Sequence, residues 1–321
     1  VRGDGGELGL DLGVAHCAHS SVASRVASSS AARMSSPSGP SKAGRTASSW
    51  SALEAPRIGA VTAGCASTQP TATRAGSSPA VLEGTSIPLR QQWMRELVIS
   101  IPAEVPPGTR AVYSDICFLL LGFALERVTG LDLDVAVNRF VWGPMELESA
   151  FYRRIPSPAP RALDRIAPTE VCPWRERTLR GEVHDDNCWS MGGYGGHAGA
   201  FGDVEAVLRF ARALHARFLS PSVLNALWTR VPEPEGCGRT LGWDTPSLVD
   251  SSASELFSAS SVGHLGFTGT SLWIDREAGL AAVLLSNRVH PTRENQRIKA
   301  FRPIFHRALR EDLAAGALRA G

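Results

Sequence analysis

Lysine is nearly missing from this chain. Lys42 and Lys299 are its only two examples in 321 residues, so 31 of the 33 basic side chains are arginine. Arginine keeps its proton in proteins, which leaves amine-based acid–base or Schiff-base chemistry just two positions to use. Charge of one sign is lacking as well: the net charge is +2 and the arginines are spread along the chain. Neither nucleic acid nor an anionic membrane is implied as a partner. The six cysteines, Cys17, Cys65, Cys117, Cys172, Cys188 and Cys237, include no Cys-x-x-Cys pair. That argues against a zinc ribbon or a thioredoxin-like motif and allows a reducing compartment. No long apolar run occurs either. The longest, Ile116–Leu125, is well short of the roughly 20 residues that span a bilayer. Val1–Leu12 carries acids and glycines in place of a basic start and an apolar segment, so no signal peptide is visible and a cytoplasmic location is the default expectation. Since the first residue is Val1, the true start is expected upstream.

Aromatic residues are absent from most of the first quarter. The first 80 residues hold sixteen serines and one aromatic, Trp50. Few large side chains are available there to offset the entropy of ordering the chain. Two readings of residues 1–88 stay open: a disordered Ser/Ala/Arg/Gly-rich leader, or a segment read out of frame. The second is motivated by the abrupt onset of normal amphipathic patterning near Gln91. Residues 89–321 are then the folded domain, and an apolar fraction of 43% over the whole chain is enough for a core.

What is present is best read from Gly263–Asn287. Thr270–Asp275 and Leu280–Ser286 are apolar runs flanking the turn residues Arg276–Gly279, a pattern that predicts a buried antiparallel hairpin. Ahead of it, Gly266 and Gly269 remove side chains where a ligand or another part of the chain comes close, and His264 stands at the rim. Upstream, Gln92–Val98 reads as helical, and Ser114 or Asp115 caps a helix over Ile116–Val128 that ends at Gly130. Leu133–Trp142 predicts a further helix closed by Gly143-Pro144, and Pro156, Pro158 and Pro160 mark a surface loop. Val183–Gly202 is dense in glycine, after which Asp203 caps a helix bearing Val204, Val207, Leu208, Ala211 and Leu214. Leu241–Trp243 reads as a short strand. Arg293–Leu313 reads as a terminal helix with Ile298, Phe301, Ile304, Phe305 and Leu309 on one side, broken or kinked at Pro303.

Three chemistries can be weighed. His184, Asp185, Asp186 and His197 are competent metal ligands by type, but no His-x-x-x-His pair sits on a predicted helix, so no metal site is expected. The glycine run lacks the Gly-Lys-Ser/Thr ending of a phosphate loop. The third couples Tyr113, at a turn-to-helix junction, to His264. A tyrosine serves as general base only where a neighbouring cation lowers its pKa from about 10.

Four ordered segments carry a resemblance: Pro106-Pro107-Gly108-Thr109-Arg110-Ala111-Val112-Tyr113-Ser114-Asp115, His184-Asp185-Asp186-Asn187, Gly196-His197-Ala198-Gly199-Ala200-Phe201 and His264-Leu265-Gly266-Phe267-Thr268-Gly269-Thr270. Over about residues 92–315 the chain resembles the serine β-lactamase-related family, which includes class C β-lactamases, D-alanyl-D-alanine carboxypeptidases and esterase-like serine hydrolases. The resemblance implies an α+β fold, a mostly antiparallel sheet flanked by helices with a helical subdomain, and here the first strands of the sheet are expected to be missing. It implies no cofactor and a small-molecule or peptidoglycan-like substrate. By the same resemblance Tyr113 is the general base or proton shuttle, Asp115 takes a position often held by Asn, and His264 supports Tyr113. Gly266 and the backbone N–H of Phe267 belong to the oxyanion site, with Trp243 and His197 lining the pocket. An ionised Asp115 can only accept hydrogen bonds, so it suits a cation better than a substrate carbonyl.

The family's nucleophile is a serine with a lysine one helical turn later, and no Ser-x-x-Lys exists in this sequence. Residues three before Lys42 and Lys299 are Gly39 and Gln296. Ser38 and Lys42 are four apart, but Gly39 and Pro40 oppose the helix that would align them. Three functions remain: a serine hydrolase whose nucleophile segment is disturbed, a pseudoenzyme that keeps the pocket for peptidoglycan-like or acyl ligands, or a packing scaffold.

Overall fold

The computed structural model describes the backbone of residues 31–33 and residues 79–316, with 104, 107–108, 110, 158–162, 216–217, 233 and 235–236 excepted. Ser38, Lys42 and most of the 1–88 segment lie outside the described residues, as do Pro107, Gly108 and Arg110 of the Tyr113 motif and the loop prolines Pro158 and Pro160.

In chain order, strand β1 (Ala31–Arg33) is followed by helices α1 (Pro79–Glu83), α2 (Ile87–Ser100), α3 (Asp115–Thr129) and α4 (Leu133–Val137), the last continuing into a wider turn over Asn138–Trp142. The predicted Ile116–Val128 helix is α3. Ser114 is its N-cap, accepting the Ile116 N–H at 3.2 Å, and Gly130 closes it in the left-handed region at φ 66. Met94 and Val98 of α2, Ile116 and Leu119 of α3, and Met191 form one buried helical cluster.

Two small antiparallel strand pairs come next. Strand β2 (Phe151–Tyr152) pairs with β5 (Ala200–Phe201), and β3 (Pro168–Cys172) pairs with β4 (Arg177–Arg180). Between them, α5 (Asp186–Ser190) opens the glycine-rich segment. That segment is close-packed: a Cβ on Gly196 would sit 2.1 Å from the Phe118 carbonyl oxygen of α3, so only glycine lets the loop touch the helix.

Helices α6 (Val204–His215) and α7 (Pro221–Trp228) precede the main sheet, β6 (Val262–Leu265), β7 (Ser271–Asp275) and β8 (Leu280–Leu284), and α8 (Ile298–Ala314) ends the described chain. Asp203 accepts the Ala206 N–H at 2.9 Å, the expected cap of α6. The sheet order is β1-β8-β7-β6, antiparallel throughout, with Val262 opposite Ile274 and Trp273 opposite Ala282. One side of the sheet packs Val262, Ile274, Ala281 and Val283 on Leu208, Ala211 and Leu214 of α6. The other packs Trp273, Leu280 and Ala282 on Leu309 of α8 and on Phe257. Burial of each of these large side chains contributes about 1.5–3 kcal/mol, so the hairpin is the centre of the domain. The β8 edge carries the three-residue β1.

Two expectations for the C-terminal segment need correction. Pro303 does not break α8, which runs unbroken from Ile298 to Ala314. Its buried residues are Ile298, Arg302, His306 and Leu309, whereas Phe301 and Ile304 are 48% and 60% exposed. The buried stripe is polar in the middle because it lies against hydrogen-bonding groups of β7 and of the turn before it. The Leu241–Trp243 strand is likewise reduced to isolated bridges, Arg239 with Asp244 and Asp244 with Gly263. Among the described residues no helix is long and apolar enough to cross a membrane.

Candidate functional site

Tyr113 and His264 do meet. Tyr113 lies in the extended residues before α3, His264 lies on β6, and their ring centroids are 6.4 Å apart. Arg239, missed in the sequence, lies over the Tyr113 ring at 5.2 Å and is itself fixed by Asp244 at 2.7 Å. The turn that carries Arg239 closes through Thr240 N–H donating to the Trp243 carbonyl at 2.9 Å.

The electrostatics run against a tyrosinate. Burial pushes the Tyr113 hydroxyl above its ordinary value, Asp115 adds to the push, and Arg239 opposes it. The lowered pKa that a general base requires is therefore not provided by the described residues, and Tyr113 is a protonated hydroxyl at neutral pH. Asp115, the first residue of α3, is also pushed up by burial; His197 opposes this, Asp185 reinforces it and His264 opposes it. Two carboxylates, two imidazoles and one phenol thus share a small volume.

His197 differs from the expectation. Its side chain is 2% exposed, and Nε2 bonds Asp185 Oδ1 at 2.8 Å, while Nδ1 has no partner among the described residues. It supports the glycine-rich loop from inside and does not line an open pocket. Asp185 also caps α5, accepting the Cys188 N–H at 2.7 Å. Trp243 differs too: its ring stacks on Phe210 of α6 at 6.4 Å and belongs to the edge of the core.

The remaining groups of the metal reading are engaged otherwise. His184 Nε2 bonds Glu170 at 2.9 Å, and Asp186 accepts from Arg175 at 2.7 Å. Among the described residues no group of three or more His, Cys, Asp or Glu is arranged to hold a metal ion.

After β6 the chain makes the tight turn Gly266–Thr270, closed by Gly266 N–H to Thr270 O at 2.8 Å and Gly269 N–H to Gly266 O at 3.1 Å. The close approach that its glycines signalled is made by side chains of the same chain. A Cβ on Gly266 would lie 2.0 Å from Thr270 Oγ1, and one on Gly269, at φ 114, would lie 2.3 Å from Ser286 Oγ. Phe267 projects from the turn, 60% exposed, with Arg288 over its ring at 4.3 Å and His184 stacked on it at 5.6 Å. Among the described residues the Phe267 N–H enters no backbone hydrogen bond. No signal in the sequence marked Arg239, Arg288 or Glu170, because isolated charged residues without a regular spacing look like solvated surface.

Comparison with known proteins gives consistent relatives. A family model described as Beta-lactamase matches residues 62–303. A Salmonella agona protein provisionally assigned as a D-alanyl-D-alanine carboxypeptidase is 29% identical over 222 residues, covering 63% of this chain and 51% of its own length. The chain thus spans about half the length of the curated relatives it matches. Simvastatin synthase (LovD) from Aspergillus terreus aligns with a TM-score of 0.51 at 18% identity, covering 69% of this chain and 60% of that one.

Proposed function

The chain belongs to the β-lactamase family and has its α+β fold, and from that premise we propose that the Tyr113–His264 cleft is the substrate-binding half of a serine-hydrolase site. The reaction class is hydrolysis of an ester, amide or lactam through an acyl-enzyme, with a peptidoglycan-like acyl-D-alanyl peptide as the favoured substrate. The observation that carries this reading is the meeting of Tyr113 and His264, whose ring centroids are 6.4 Å apart, with the Phe267 turn following directly after the strand that bears His264. The carboxypeptidase assignment of the Salmonella relative supports the substrate class.

The residues have separable roles. A serine oxygen attacking the carbonyl carbon turns its oxygen into an oxyanion, and the Phe267 N–H donates a hydrogen bond there. The proton lost by the serine must reach the leaving group, and a protonated Tyr113 hydroxyl acts as relay, giving its own proton and recovering the serine's. With Tyr113 pushed up by burial and Asp115, that relay requires a cation beyond Arg239, the part a lysine amine plays in Ser-x-x-Lys chemistry. This sequence contains no such pair.

We therefore propose that the chain as written binds and does not acylate. The family match begins at residue 62 and Leu82 of α1 is buried with Ile155, Val183 and Trp189, so the domain starts ahead of residue 89, and we propose an out-of-frame leader only upstream of that match. Incubation with a fluorophosphonate or a labelled penicillin should leave the intact mass unchanged, and a stoichiometric adduct on any serine would sink the proposal. The absence of Ser-x-x-Lys favours a second reading, a pseudoenzyme that retains the pocket. Translating the upstream DNA in the other two frames separates the two: Ser-x-x-Lys followed by an apolar helix supports a disturbed hydrolase, and its absence from both supports the pseudoenzyme.

A further inference from the structure

The turn that carries Phe267 is held through its carbonyls. Arg302 Nη2, on α8, donates to both Gly266 O and Thr270 O at 2.8 Å. Arg288 Nε donates to Phe267 O at 2.7 Å, and Ser286 Oγ donates to Gly269 O at 2.8 Å. Arg288 is fixed in turn by the carbonyls of Arg293 and Asn295, at 2.8 and 2.9 Å. A closed circuit results. Phe267 touches Arg288, Arg288 holds the Arg293 backbone, the Arg293 side chain binds Glu170 at 2.6 Å, Glu170 binds His184, and His184 stacks on Phe267.

Two features separate this from ordinary turn stabilisation. First, Arg302 is only 7% exposed, and its hydrogen-bond partners among the described residues are carbonyl oxygens, not carboxylates. A guanidinium buried without a carboxylate is a costly arrangement that the surrounding dipoles must compensate. Second, the peptide it holds joins Gly266 to Phe267. In a planar trans peptide the C=O and N–H point in opposite directions, so fixing Gly266 O toward α8 fixes the Phe267 N–H away from it. A cation on the carbonyl end also polarises the N–H end, as in any chain of hydrogen bonds.

We propose that Arg302, backed by Arg288, is the positioning residue for the Phe267 N–H: it orients the Gly266–Phe267 peptide so that this donor faces the cleft and strengthens it toward a negatively charged oxygen. The proposal deepens the reading of the cleft as an acyl-transfer site and rests on it.

The test uses backbone amide spectra of the whole chain, with R302Q and the charge-retaining R302K, and R288Q as a second route if R302Q does not fold. The amides of Gly266 and Gly269 should exchange at least tenfold faster in R302Q than in the wild type, while those of Val262 and His264 keep their protection. Unchanged exchange at Gly266 and Gly269 would overturn the proposal, and uniform acceleration over the whole sheet would assign Arg302 a merely global structural role and overturn it equally. In a second arm, N-acetyl-D-alanyl-D-alanine is titrated into each protein. The Phe267 amide should shift in the wild type, and binding should weaken tenfold or more in R302Q with partial recovery in R302K; equal binding by all three rejects the positioning role. If the dipeptide shifts no cleft amide even in the wild type, the substrate reading fails, and the exchange arm alone decides whether Arg302 holds the turn.

Discussion

The two walls of the cleft are built on different principles. The β6 wall, with His264 and the Phe267 turn, is backed by a central hairpin, by ladder bonds on β7 and by side chains that grip four carbonyls of the turn. The α3 wall, with Tyr113 and Asp115, sits at a helix N-terminus capped by the Ser114 hydroxyl, with Arg239 over the Tyr113 ring. The first wall is redundantly fixed and the second is locally fixed. The oxyanion role proposed for the Phe267 N–H gains from rigidity, whereas the relay role proposed for Tyr113 gains from freedom, and its side chain is 52% exposed.

The largest expected effect lies behind the rigid wall. Glu170 is 2% exposed and is shared by Arg293 and His184. Burial alone would raise its pKa, but the bonds from Arg293 prevail and hold it below the ordinary carboxylate range. In Glu170→Gln, His184 and Arg293 lose their common anion, and because the Arg293 side chain is 36% exposed solvent screening caps the cost at about 3 kcal/mol, the lower end for a fully buried pair. Urea unfolding should show it as a lower midpoint at constant slope. A loss below about 1 kcal/mol would mean that the circuit through Glu170 adds little to this wall.

An effect of similar size is expected from pH. His306 of α8 is fully buried, bonds Ser271 Oγ of β7 at 3.1 Å, and has its pKa lowered to about 4, by burial first and then by Arg302. In the unfolded chain it titrates near 6.5, so between pH 6.5 and 4 the unfolded state binds more protons and stability falls as pH falls. The stabilisation is whole above pH 6.5 and is lost progressively to about pH 4, in total about 3 kcal/mol at 1.4 kcal/mol per pH unit. His306→Gln should flatten that part of the stability–pH curve; an unchanged slope would remove His306 as its source.

The sequence made the apolar skeleton of both walls readable and left their polar supports hidden. The hairpin was legible because the apolar stretches Leu272–Ile274 and Leu280–Leu285 flank a glycine-ended turn, and the observed strands Ser271–Asp275 and Leu280–Leu284 lie on them. Helix α3 was legible from Ser114 and Gly130 at its ends. The face of α8 was misread because hydrophobicity ranks Phe301 and Ile304 above Arg302 and His306, although the latter pair is buried. A buried arginine is invisible to periodicity when what it binds is a backbone carbonyl, since a carbonyl leaves no mark in the sequence. His197, a candidate lining residue, was misplaced for another reason: its partner is the Asp185 carboxylate, twelve residues away in an irregular loop where no periodicity links the two. The β3–β4 pair also went unread, since Pro168–Cys172 and Arg177–Arg180 are short and carry charges.

The smallest effect probes the weaker wall. Ser114 accepts the Ile116 N–H at 3.2 Å and is 8% exposed. Replacing it with alanine leaves that donor without its cap, and such a loss typically costs about 1 kcal/mol. The modest cost is what makes Ser114→Ala informative. If the α3 wall depends on its cap, Tyr113 and Asp115 should show enhanced backbone mobility by amide relaxation, while Gly266–Thr270 on the facing wall keeps its wild-type exchange. A variant in which both walls loosen together would show that the cleft is one mechanical unit, and the distinction between a rigid oxyanion wall and a yielding proton-relay wall would have to be abandoned.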